Sequence, residues 1–204
     1  MPGAWYPERD RYFFARPPEV ERPVFHGDIF RAVPIVFAGH PDVTAALFAG
    51  EPLPDEIDRV PAESEIRSSV AIAGGYAMVL PHPCNFFKGE KGVVTRTRTV
   101  ARLKPAAALG GRKLVRSGNV VHTVWVPSWE DPADEESEWG LDLRTLTTVD
   151  RAYLHRGRRV AALSYPAWIA LIRRLALFFG RIRLTPAEGA TFAGKFPGHP
   201  EQVA

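Results

Sequence analysis

The sequence is poor in cysteine, in ordered histidine patterns and in long apolar runs, and each shortage removes a class of protein. Cys84 is the only cysteine, so no disulfide can close within the chain and no zinc site can be built on several thiolates. The six histidines (26, 40, 82, 122, 155 and 199) fall at no metal-ligand spacing, and no His-x-x-x-His occurs. No metal or cofactor is therefore expected. No apolar run approaches the roughly 18 residues of a membrane span, and the opening Met-Pro-Gly-Ala-Trp-Tyr-Pro-Glu-Arg-Asp has no apolar signal core. The chain reads as soluble, cytosolic or virion-type, with no membrane contact. Gly74-Gly75 and Gly110-Gly111 lack the Lys-Ser/Thr that completes a phosphate loop, which argues against nucleotide hydrolysis and leaves no small-molecule substrate to expect.

What is present is proline, glycine and arginine. The 204 residues hold 19 prolines and 17 glycines, enough to break the chain into short elements joined by long loops. Only five of the 26 basic residues are lysines (88, 91, 104, 113 and 195), so most positive charge sits on guanidinium groups, which favour forked contacts to carboxylate or phosphate. The charges are segregated. Lys88–Arg116 carries nine basic residues against Glu90, and Arg151–Arg183 carries eight arginines and no acid, while acids gather at 51–65 and 130–142. Such blocks either pair within the fold or give head-to-tail complementarity between identical subunits.

Residues 1–23 place Trp5, Tyr6, Tyr12, Phe13 and Phe14 among five prolines and read as an extended arm with aromatic anchors, lying on a neighbour or folded back over its own core. Val24–Phe37 reads as two short strands around Gly27-Asp28, and 38–66 as a long acidic loop with a brief helical turn at Thr44–Phe48. Ser69–Leu80 is strand-like, with a hairpin or bulge at Gly74-Gly75. Val93–Leu103 alternates so that Val94, Arg96, Arg98, Val100 and Arg102 share one parity, a strand with a basic face. Asn119–Val126 and Leu141–Val149 complete the strands. From 158 the pattern turns helical: Ser164 is an N-cap, Pro166 lies in the first turn and Gly180 ends it. Trp168, Leu171, Ile172, Leu175 and Phe179 form one apolar stripe. The opposite side mixes Arg173 and Arg174 with Leu177 and Phe178, and since arginines are costly inside a core this side is expected to meet a second body.

Catalytic constellations are weak. His82 and Cys84 sit two apart at a strand end, with no third group to orient a nucleophile and base. Asp28 and Asp150 would face each other only if their strands pair. Arg96, Arg98 and Arg102, with Phe86, Phe87 and Trp125 in reach, could track a phosphate backbone, but an arginine face meets acidic protein loops equally well.

Gly27-Asp28-Ile29, then Tyr76–Leu80 running into Pro81–Cys84, then Leu143–Val149 followed by Asp150-Arg151-Ala152-Tyr153-Leu154, resembles the layout of PemK/MazF-type toxins. Those are small SH3-like barrels that open with Gly-Asp-Ile and close with a strand and a Val-Asp-x-x-x-Leu turn. Their catalytic loop, an acidic residue and Gln followed by Gly and Arg-Pro, has no counterpart between residues 38 and 70, and their strand-end Thr-Ser is missing. The resemblance implies a barrel without implying ribonuclease activity. Arg159-Val160-Ala161-Ala162-Leu163-Ser164 and the helix to Phe179-Gly180-Arg181 are similar to closing segments of head-to-tail connector (stopper-like) virion proteins of actinobacterial tailed phages.

The expected fold is mainly β: an SH3-like small barrel over 24–157, an extended N-terminal arm over 1–23, a C-terminal helix over 158–180 and a tail over 181–204. The expected function is that of a non-enzymatic structural subunit, most plainly a tailed-phage head-to-tail connector component located in the virion. Its partners would be copies of itself in a ring and neighbouring virion proteins, with DNA in a channel left open. Expected interface residues are Trp5, Tyr6, Phe13, Phe14, Arg173, Arg174, Leu177 and Phe178, and Arg96, Arg98 and Arg102 form a nucleic-acid or acidic-partner face. The rival is a PemK-like endoribonuclease or nucleic-acid-binding regulator.

Overall fold

The structure is a computed structural model that describes residues 6–13, 24–39, 69–81, 97–131, 134–154 and 158–193. It is mainly β. Six strands, β1 (Asp28–Gly39), β2 (Ser69–Val79), β3 (Thr97–Pro105), β4 (Thr123–Val126), β5 (Trp139–Asp150) and β6 (Arg159–Ala162), form one antiparallel sheet in the order β4-β5-β3-β2-β1-β6. Three α-helices accompany it among the described residues: α1 (Arg112–Ser117), α2 (Tyr165–Gly180) and α3 (Pro186–Ala193). The chain divides into two compact units, Met1–Val33 with Gly75–Ala204 and Pro34–Gly74. The second is described only at 34–39 and 69–74, where the backbone is strand.

Strand positions differ from the sequence reading in instructive ways. The stretch from Val24 makes one strand, which starts only at Asp28 because His26 and Gly27 form a turn with Gly27 at φ 92°. Gly74 and Gly75 lie inside a continuous β2. β4 begins at Thr123 instead of Asn119, and β5 begins two residues earlier than expected, at Trp139. β6 is only four residues, too short to show a period, and falls inside the stretch 158–180 that the sequence reading makes helical. α3, placed in the tail by the sequence reading, carries a start signal that sequence alone contains: Thr185-Pro186-Ala187-Glu188 is a capping box with proline at the first helical position. The Thr185 N–H donates to Glu188 Oε2 at 2.8 Å, and the Glu188 N–H donates back to Thr185 Oγ1 at 3.3 Å.

β4 and β6 end the sheet, and no pairing joins them among the described residues. The segment 6–13 links these two edges instead. On β4, the Trp125 N–H donates to the Tyr6 hydroxyl at 3.2 Å and the Tyr12 hydroxyl donates to the Trp125 carbonyl. Just past β6, the Ser164 N–H donates to the Tyr12 carbonyl at 2.9 Å, and Phe13 forms an antiparallel bridge with Leu163. Tyr12 therefore reaches one edge with its side chain and the other with its backbone. An exposed edge carries unpaired N–H and C=O groups that invite unwanted pairing, and these two tyrosines satisfy both backbone groups of Trp125. For Tyr6 and Phe13, the reading of an arm folded back over its own core is the one the structure displays.

α2 runs through the middle of the core. The Ser164 hydroxyl caps it by accepting from the Ala167 N–H, and Ala167–Leu177 are all buried. Of these, Ala167, Trp168, Ile169, Leu171, Ile172 and Leu175 share one cluster with Ile29, Met78, Leu80, Leu103, Val124, Trp125, Leu141, Leu143 and Leu163 from the strands and their ends.

Candidate interaction surface

The arginines of α2 are the first correction. Arg174, expected on a face toward a second body, is fully buried (0%), and Arg173 is buried as well. Arg174 Nη2 donates to the Gly118 carbonyl at 2.8 Å and to the Tyr6 hydroxyl at 3.1 Å, with its guanidinium 5.9 Å from the Tyr6 ring centroid. Gly118 caps the C-terminus of α1, where the free carbonyls present negative potential. That polar end, together with the ring face, makes the interior tolerable for a cation. Arg173 Nε donates to the Leu184 carbonyl at 2.9 Å. Its aliphatic stem passes so close to Gly189 that a Cβ there would lie 2.6 Å from Arg173 Cγ, so α3 packs on α2 through this glycine. Burial and the neighbouring Arg174 both lower the Arg173 pKa. The two arginines thus tie α1 and α3 to α2 within the chain.

Around Trp125 the N-terminal segment makes a charged and aromatic cluster. Tyr6 and Tyr12 meet the Trp125 ring edge-on at 5.6 and 5.3 Å, and the guanidinium groups of Arg9 and Arg116 lie 5.7 and 5.9 Å from it. Both arginines pair with the buried carboxylate of Glu138, Arg116 at 2.6 Å, and both reach Glu135, at 3.4 and 3.0 Å. Burial raises the Glu138 pKa, opposed by the Trp125 indole and by Arg116. Arg112 forms a two-bond fork on Glu136 at 2.7 Å. Much of the acidic block at 130–142 is therefore neutralised inside the fold. The same holds on β5, where Asp142, 1% exposed, accepts from Lys104 at 3.1 Å and from Arg144 at 2.9 Å. Burial pushes the Asp142 carboxyl up, but those bonds and the Arg144 backbone N–H outweigh it and hold the pKa at about 2 instead of 3.8.

The expected basic face of β3 is mixed. Arg98, Val100 and Arg102 pair with Val149, Thr147 and Asp142, but Val100 is buried and both arginines are half-buried, so the face is not an open basic stripe. Trp5, Phe14, Phe86, Phe87, Arg96, His82 and Cys84 lie outside the described residues. Asp28 and Asp150 do not meet: Asp28 sits opposite Ala162 and Asp150 opposite Thr97. Asp28 instead accepts from the Phe25 N–H at 2.9 Å and pairs with Arg159 at 3.3 Å. Burial, with Arg98 adding to it, lowers the His26 pKa from 6.5 to about 4. Among the described residues no group of three metal-ligating side chains gathers, and no helix is long and apolar enough to cross a membrane. An open groove of about 350 Å³ along α3 has only Glu188 as a charged wall, and that carboxylate is held by Thr185.

The end of α2 is different. Leu177 is buried (8%), Phe178 is half-buried, and Phe179 and Ile182 are 40% and 53% exposed. Phe178 and Phe179 meet edge-on at 5.0 Å. Arg181 ends the helix in the left-handed region at φ 56°, its N–H bonded to the Leu177 carbonyl at 3.1 Å. Arg181 and Arg183 are exposed and form no ion pair among the described residues. The sequence reading expects Leu177 and Phe178 to meet a second body, whereas the exposed apolar side chains at this end are Phe179 and Ile182. Arg181, Ile182 and Arg183 belong to the tail in the sequence reading, and their alternation of arginine with isoleucine after the helix stop is a local signal. Comparison with protein-family models, with curated proteins and with solved structures returns no significant match.

Proposed function

We propose that the chain is a non-enzymatic structural subunit of a multi-subunit assembly, of the kind that forms head-to-tail connectors in tailed phages. The observation that carries this reading is the end of α2, where exposed Phe179 and Ile182 stand beside two arginines that find no carboxylate among the described residues. At Glu138 and Asp142, by contrast, buried carboxylates are met by arginine and lysine within the chain. Apolar side chains next to unpaired charge suit a protein surface that a neighbour covers. In this reading the six-stranded sheet is an SH3-like barrel whose strands do not close and whose gap the segment 6–13 spans. Copies of the chain, and other virion proteins, are the partners.

The expected result for the purified full chain is a mass above that of the monomer in light scattering, with no cleavage of single-stranded RNA. A monomeric mass at every concentration would refute self-assembly. RNA cleavage that vanishes when Arg98 and Arg102 are changed to Ala would move the chain to the rival class of PemK-like endoribonucleases.

A further inference from the structure

Among the described residues, two surfaces that set exposed charged side chains beside aromatic rings carry charge of opposite sign. One is the end of α2, with Phe179 and Ile182 exposed, Phe178 against them, and Arg181 and Arg183 unpaired among the described residues. The other lies between β4 and β5. Trp129 stacks on Trp139 at 5.0 Å with 22° between the planes, and Tyr76 meets them edge-on at 4.9 and 5.1 Å. The three rings are half-buried, and the two residues that follow Trp129, Glu130 and Asp131, are exposed. Glu130 forms no ion pair among the described residues, whereas Glu135, Glu136 and Glu138 a few positions on are held by Arg9, Arg112 and Arg116.

Resting on the reading of the chain as an assembly subunit, we propose that these surfaces are the two halves of one contact between copies: Phe179–Arg183 of one copy seats on Trp129–Asp131 of the next. Each half has an apolar centre and a charged rim, the anatomy of protein interfaces. The rims are opposite in sign, so the pairing attracts, while a two-fold contact of either surface with itself would set like charges together. A guanidinium arriving at a tryptophan pair also gains from the ring faces. Because the halves differ, each copy keeps one of each to offer, and the contact repeats head to tail into a ring or an open chain.

The test is a charge exchange in the full chain. One variant carries Arg181→Glu and Arg183→Glu, so both of its surfaces are acidic; the other carries Glu130→Arg and Asp131→Arg, so both are basic. All four positions are exposed, and circular dichroism verifies that each variant folds. Light scattering should find the wild type oligomeric, each variant monomeric, and an equimolar mixture restored to the wild-type mass. A variant that keeps the wild-type mass, or a folded mixture that stays monomeric, overturns this contact while leaving the assembly reading standing. A wild type that is itself monomeric overturns the assembly reading and this contact with it.

Discussion

At the scale of single residues, buried Asp142 and half-buried His26 both contribute to the acid response. The Asp142 carboxyl is held at about 2 against 3.8 in an unfolded chain, so its ionised form favours the fold. That contribution is complete above pH ~4 and is lost as pH falls through ~2, an effect of about 2 kcal/mol. Asp142→Asn should remove it, lowering the stability measured by urea unfolding at pH 7 and flattening its fall between pH 4 and 2. His26 acts in an adjoining window. Its folded pKa of about 4 lies below the ordinary 6.5, so the unfolded chain takes up the proton first and stability declines from pH 6.5 down to 4. An NMR titration should place the His26 midpoint near 4; a midpoint near 6.5 would mean the ring is solvated. Gly27 is a steric case, with φ 92° and a Cβ position 3.1 Å from the Leu163 side chain. Gly27→Ala should cost about 1–3 kcal/mol, through left-handed strain and crowding together.

At the scale of elements, the segment 6–13 is worth more than its length suggests. Tyr12→Phe leaves the buried Trp125 carbonyl without its hydroxyl partner, and the expected loss is about 1–3 kcal/mol in denaturant unfolding. No loss would mean that water replaces the hydroxyl and that the edge is open. α2 gives a matching expectation. Leu177 is buried in the core, so changing Leu177 and Phe178 together to Ser should unfold the chain, seen as loss of the circular dichroism signal, instead of merely loosening contacts between copies. The α2 cap at Ser164 and its length were legible from the sequence, because capping chemistry and a 3.6-residue stripe are local signals. The fate of Arg173 and Arg174 was not. Their partners, the Gly118 and Leu184 carbonyls, are fixed by how α1 and α3 pack, which no local pattern encodes. β6 was hidden for a similar reason, since four residues become a strand only when β1 lies alongside.

At the scale of the whole molecule, charge segregation in sequence turned out to be two things. The acids at 135–142 meet Arg9, Lys104, Arg112, Arg116 and Arg144 across the fold, 20 to 130 positions away in several cases, and so serve the chain's own cohesion. Arg181, Arg183 and Glu130 are among the exposed charges that form no ion pair within the described residues; Arg181 and Arg183 flank exposed Ile182, and Glu130 follows half-buried Trp129, which is why association is the reading proposed. The most direct measurement is hydrogen exchange on the purified wild-type chain at rising concentration, followed residue by residue. Protection at 178–183 and at 129–131 should increase together with concentration, while the amides of Trp125 and Ser164, whose partners lie in the same chain, stay protected throughout. Exchange at 178–183 and 129–131 that ignores concentration would contradict contact between copies through these surfaces.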